Sequence, residues 1–104
     1  MQAPPGGFRL KLSPRAEEQR GWLRVGSPRR FKKVVKALRL LIANPAHPGL
    51  NAHKYDDLRG KAPDGGDVWV AYVENNTPSA WRLFFFYDSR DPGLIYVTSI
   101  EPHD

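Results

Sequence analysis

Arg82 stands two residues into the apolar run WRLFFFYD, residues 81–88, in the last third of a 104-residue chain. A guanidinium is costly to bury alone, so one in such a strand requires a carboxylate, a carbonyl or a phosphate. Its planar fork suits a phosphate in a bidentate geometry. The structural alternative is an internal salt bridge to Asp56, Asp57 or Asp88. His53 and His103 are the titratable candidates, since an imidazole with an ordinary pKa of about 6.5 can give or take a proton near neutrality. Lys54, beside His53, adds a flexible cation. With His47 these histidines fit no common metal-ligand spacing, and cysteine is absent. No Gly-rich phosphate loop, HExxH or GxSxG is present, so the expectation is a site without metal or cofactor.

The elements that must position these groups follow from patterning. Residues 1–7, rich in Pro and Gly, read as a flexible tip, and residues 8–104 as one domain. FRLKL at 8–12 alternates apolar and basic residues, as a half-buried edge strand does. Ser13-Pro14 is an N-cap followed by a first helical residue; this helix is expected to reach Val25, with Ala16, Leu23 and Trp22 inward, and to stop at Gly26. Ser27-Pro28 repeats the start signal. Phe31, Val34, Val35, Leu38, Leu41 and Ile42 then form one helical stripe, ended by Asn44-Pro45. Two helices joined by so tight a turn make an antiparallel hairpin.

A loop-rich stretch follows, in which HKYDDLRG reads as a short strand or turn. Three strands are expected at about 67–73, 81–88 and 94–100, joined by ENNTPSA and SRDPG. Short links favour antiparallel pairing. The predicted class is α+β, with the order β-α-α-β-β-β. The helix hairpin covers one face of a curved antiparallel sheet, the first strand joins the meander at one edge, and the other face is partly open. Period two places Arg82, Phe84 and Phe86 on a single face, either to stack bases or to form core around a buried cation.

The net charge of +5 is unevenly spread. Between Arg9 and Arg39 the only acids among many cations are Glu17 and Glu18; from Asp56 onward acids outnumber bases. Arg29, Arg30, Lys32, Lys33, Lys36 and Arg39 surround the apolar stripe of the second helix. They suit a polyanion, an acidic protein or plain solvation. No run is long enough for a membrane span and no basic-then-apolar leader opens the chain, so the expected place is the cytoplasm.

Taken together, the strand, the basic αα-hairpin, the loop NPxxPGLNAHKYDDLRG and the runs VWVAYV, WRLFFFYD and IYVTSIEPHD resemble the RelE/ParE superfamily of toxins from bacterial type II toxin–antitoxin pairs. The resemblance spans roughly residues 8–104. In the RelE branch it implies an endoribonuclease that cuts mRNA on the ribosome without metal; in the ParE branch it implies inhibition of DNA gyrase. In both it implies a cognate antitoxin. Metal-free cleavage requires a base for the 2′-OH, cations for the phosphorane and an acid for the leaving 5′-oxygen. By resemblance Arg82 and Lys54 bind phosphate and His103 is the acid or base. His53, Tyr72 and the six cations of the second helix would contact RNA, including ribosomal RNA. Active RelE-branch members often carry an arginine late in the strand that here holds Tyr72, which can stack on a base but supplies no charge. The alternatives are a ParE-like gyrase inhibitor, a degenerate toxin that only binds its antitoxin, or a basic RNA-binding domain.

Overall fold

The computed structural model describes residues 7–55, 62–63, 65–75 and 80–102. These form β1 (Arg9–Leu12), α1 (Pro14–Gly26), α2 (Pro28–Ala43), a 3₁₀ turn (Pro48–Leu50), β2 (His53–Lys54), β3 (Trp69–Tyr72), β4 (Trp81–Tyr87) and β5 (Leu94–Pro102). The sheet order is β1-β5-β4-β3-β2. β2 to β5 pair antiparallel, whereas β1 lies parallel to β5 at the edge, Arg9 opposite Leu94 and Leu12 opposite Val97. The sheet is therefore mixed, because the helix hairpin returns the chain to the far side before the meander begins. HKYDDLRG supplies only the two residues of β2; Asp56 and Asp57 lie outside the described residues.

The helix hairpin packs on one face only. Leu83 and Phe85 of β4 and Ile95, Val97 and Ile100 of β5 meet Ala16, Leu23, Val34, Ala37 and Leu41, all buried in one cluster with Phe8 and Leu50. Side chains of this size contribute about 1.5–3 kcal/mol each when fully buried. The stripe of α2 forms as patterned, with Val34 and Leu41 fully enclosed and Phe31 and Leu38 at the margin. Trp22 is a correction: it is 66% exposed. Ala16 and Leu23, seven apart, already set the inward face of α1, and Trp22 is rotated about 100° from Leu23.

Local chemistry explains the ends of the elements. Ser13 Oγ accepts the Ala16 N–H at 3.1 Å and donates to the Thr98 carbonyl at 2.7 Å, so one hydroxyl caps α1 and ties it to β5. Ser27 precedes α2 without a side-chain cap. The β4–β5 ladder slips between Phe84 and Phe85, which leaves Thr98 as the extra residue of a bulge. Gln19 stabilises the bend, its Oε1 accepting the Ile100 N–H at 2.8 Å. Gly7 has φ +84°, and a Cβ there would stand 2.8 Å from the Ile42 carbonyl oxygen. Only glycine lets the chain pass so close to the end of α2, where Phe8 N–H donates to that carbonyl at 2.8 Å.

Candidate functional site

Arg82 is the second residue of β4 and lies on the face turned away from the helices, since Leu83 and Phe85 alternate into the core. Register places it opposite Tyr72 of β3. The guanidinium lies 3.7 Å from the centre of the Tyr72 ring, close enough for a cation–π contact. Nη1 donates to the Glu74 carbonyl at 2.5 Å and to the Trp81 carbonyl at 3.0 Å. No carboxylate of the described residues pairs with it. Asp88, one expected structural partner, instead accepts the N–H groups of Arg90 and Asp91 in the β4–β5 turn. Arg82 is thus a half-buried cation held by neutral groups.

Tyr72 and His53 extend this row, with rings 6.2 Å apart and nearly perpendicular. His53 Nδ1 lies 2.8 Å from the Asn51 carbonyl, which orients an exposed ring. Further along the same face Tyr55 meets Phe84 edge-on at 5.4 Å, and Phe86 stacks on Tyr96 at 5.4 Å with ring planes 5° apart. The face is therefore neither bare nor core. Its aromatics are half-buried and engaged with one another.

Lys54 does not join this row. It pairs with Trp69, and Trp69 pairs with Phe85 of the core face, so Lys54 points to the side opposite Arg82. There its Nζ lies 3.3 Å from Asp67 and 5.8 Å from the centre of the Trp69 ring. The structure brings Arg82, Tyr72 and His53 together and leaves Lys54 apart. His103 lies outside the described residues.

The residue that sequence reasoning missed is Glu74. It is 8% exposed, and its carboxylate accepts from Arg30 Nε at 3.1 Å, Lys33 Nζ at 3.2 Å and the Trp81 N–H at 3.3 Å. Burial pushes its pKa up, but hydrogen bonds from Lys33, the Trp81 N–H and Arg30, with the Arg30 charge, hold the net value below the ordinary 4.5. Glu74 thus joins α2 to the strand ends, while its own carbonyl holds Arg82. Arg30 also lies 5.2 Å from the Trp81 ring centre, so Arg30 and Lys33 serve the fold first. Arg29, Lys32, Lys36 and Arg39 stay exposed on α2. The available signal for Glu74 was its placement: an acid ending an apolar strand, in a chain whose i, i+3 pair Arg30 and Lys33 lacks a nearby counter-charge.

Among the described residues, no three His, Asp or Glu side chains converge as a metal cluster would, and no helix is long and apolar enough to cross a membrane. No protein-family model and no curated protein matches the sequence. Solved structures do match its fold, an α+β fold shared with the YoeB and ParE toxins. A YoeB/ParE toxin from Agrobacterium tumefaciens aligns with TM-score 0.70 at 10% identity, over 93% of this chain and 100% of its own. A YoeB dimer from Staphylococcus aureus aligns with TM-score 0.68 at 17% identity, over 93% and 98%. YoeB in a YoeB–YefM complex from Staphylococcus aureus aligns with TM-score 0.65 at 17% identity over the same shares.

Proposed function

We propose that this chain is the toxin of a toxin–antitoxin pair and acts as a metal-free endoribonuclease on mRNA at the ribosome, in the cytoplasm, restrained by a cognate antitoxin. The observation that carries this reading is the state of Arg82. Two carbonyls and a ring face orient the guanidinium without neutralising it. A phosphate supplies the missing charge in the geometry the fork favours. The shared fold with YoeB/ParE toxins, one of them solved with YefM, supports the toxin and antitoxin parts.

In this reading Arg82 clamps the scissile phosphate and stabilises the phosphorane. Tyr72 keeps Arg82 in place, and its contact with His53 brings an imidazole to the same row. His103 is assigned the acid or base role by resemblance alone. Lys54, on the far side of the sheet, contacts a different stretch of backbone from the one at Arg82. The exposed cations of α2 add salt-dependent affinity for mRNA or ribosomal RNA without choosing a sequence.

A specific observation favours a second reading. Tyr72 occupies the cross-strand position beside Arg82 and contributes no charge, so the described part of the row carries one permanent cation. A non-catalytic, ParE-like gyrase inhibitor or a degenerate toxin requires no more than this. Inducible expression separates the readings. The ribonuclease predicts growth arrest with cut transcripts, abolished by Arg82→Ala with His103→Ala. Arrest with intact transcripts and unsupercoiled DNA, or undiminished toxicity of the double variant, refutes it.

A further inference from the structure

The sheet face that carries Arg82 also holds an open cavity of about 420 Å³, beside the point where the β4–β5 ladder slips. Phe86, Tyr96 and Pro63 line it, and the bulge adds Thr98. Phe86 and Tyr96 lie directly opposite each other in the ladder, with rings stacked 5.4 Å apart and planes at 5°. Phe86 follows Arg82 by four residues along β4, which is about 13 Å, and period two keeps both side chains on one face.

Most polar atoms around this cavity are already engaged. Thr98 Oγ1 donates to the Phe84 carbonyl at 3.1 Å. Asp88 Oδ1 accepts the N–H groups of Arg90 at 2.8 Å and of Asp91 at 3.0 Å, which holds the carboxylate in the β4–β5 turn. Its other oxygen, Oδ2, also borders the cavity and has no partner among the described residues. The neighbouring Ser89 hydroxyl has none among them either. Lys11 Nζ stands 5.9 Å from the centre of the Tyr96 ring and pairs with no carboxylate of the described residues. The place therefore offers flat aromatic surface, an acceptor-only oxygen, a hydroxyl and a nearby cation.

We propose that this cavity seats a guanine base of the RNA strand whose phosphate Arg82 holds, its ring against Phe86 and Tyr96 and its N1–H and N2–H on Asp88 Oδ2. The subsite deepens the ribonuclease reading and rests on it for the presence of a strand. Any base stacks on an aromatic surface, so the choice among bases falls to the hydrogen-bonding edge. An ionised carboxylate only accepts. Guanine is the one base of RNA that presents two adjacent N–H donors on its pairing edge. Adenine and cytosine set a ring-nitrogen acceptor beside one amino group, and uracil flanks its single N–H with two carbonyls, so each turns a lone pair toward Asp88. The Ser89 hydroxyl donates to guanine O6, and Lys11 takes a backbone phosphate. An arginine of a protein partner also suits a carboxylate beside rings, but Lys11 already places a cation at Tyr96, which favours an anionic ligand. Arg82 then holds the backbone while Asp88 chooses the base.

The test is NMR titration of the purified full chain, without ribosomes, against the trinucleotide UGU. Its other arms are UAU, the same trinucleotide with inosine at the centre, 5′-GMP and arginine amide. UGU should bind about tenfold tighter than UAU and shift the Asp88 and Ser89 amides, as hydrogen bonds to a charged group require. Inosine keeps N1–H and lacks the N2 amino group, so it should fall between the two, a result that depends on no variant. Asp88→Asn keeps an oxygen for the Arg90 and Asp91 N–H groups but turns an NH₂ toward the base, so it should bring UGU down to the level of UAU. Lys11→Glu should weaken both trinucleotides alike. The proposal is overturned if UGU and UAU bind equally, if inosine matches UAU, or if Asp88→Asn keeps the preference. It is also overturned if GMP binds as tightly as UGU, which marks a free-nucleotide site, or if arginine amide shifts the same amides at lower concentration. The ribonuclease reading fails separately: Asp88-dependent UGU binding by a chain that cuts no transcript on the ribosome sinks that reading and leaves the guanine subsite standing.

Discussion

Replacing Glu74 with glutamine removes one charge and almost no volume. The carboxylate is 7% exposed and accepts three hydrogen bonds, two of them from cations. A charge-assisted hydrogen bond contributes about 1.5–3 kcal/mol. Here the sum must be discounted, because Arg30 and Lys33 are 37% and 46% exposed and regain water when released. The amide oxygen still accepts one donor, while its NH₂ faces a cation. A net loss of about 2 kcal/mol is expected at pH 7, or about 10 °C in Tm for a domain of this size. The pH dependence carries a definite sign. The folded pKa lies below the ordinary 4.5, so the stabilisation is complete above that value and is lost as pH falls through the folded pKa. Thermal unfolding followed by circular dichroism at pH 7 and pH 3 should show a wide gap between wild type and Glu74→Gln that narrows in acid. A double-mutant cycle with Lys33→Ala should give a coupling of about 0.5–1 kcal/mol. A gap below about 0.5 kcal/mol at neutral pH, or one that does not change in acid, refutes the argument that the buried charge holds α2 to the strand ends.

Three further outcomes follow from the packing. Gly7→Ala forces a left-handed φ on a residue with a Cβ and drives that Cβ against the Ile42 carbonyl, so it should cost about 1–3 kcal/mol in urea denaturation. Ser13→Ala removes both the cap of α1 and the bond to Thr98; a loss of about 1–2 kcal/mol is expected, with faster amide exchange in the first turn of the helix. Phe85→Ala empties a fully enclosed site between sheet and helices and should cost about 3–5 kcal/mol, whereas Trp22→Ala, on the exposed side of α1, should stay within about 0.5 kcal/mol by the same measurement.

The fold was largely legible because its signals are local and periodic. The stripe of α2, the Ser-Pro starts of both helices and the three alternating runs each define an element from its own residues. Trp22 was read as inward, although the seven-residue spacing of Ala16 and Leu23 already set the helix face and left it exposed. Period two grouped Arg82 with Phe84 and Phe86 on one face, but whether that face was core or open was not legible, since it depends on which side the helices pack. The side on which Lys54 falls was not legible either, since it depends on pairing with Trp69, and register between distant segments is invisible to a single run of residues. Glu74 was hidden for the same reason: its partners Arg30 and Lys33 lie 44 and 41 positions away.

The parallel pairing of β1 with β5 gives this chain an order of assembly. Ser13, at the end of β1, finds the carbonyl it bonds 85 positions later, at the β5 bulge. During synthesis β1 and both helices emerge long before β5, so the helix hairpin waits without the strands β4 and β5 that its apolar face will cover. Closing so large a loop is slow relative to forming the hairpin. The Arg82 face therefore takes shape only when β5 has arrived to pair with β4, and a nascent chain does not offer it until then.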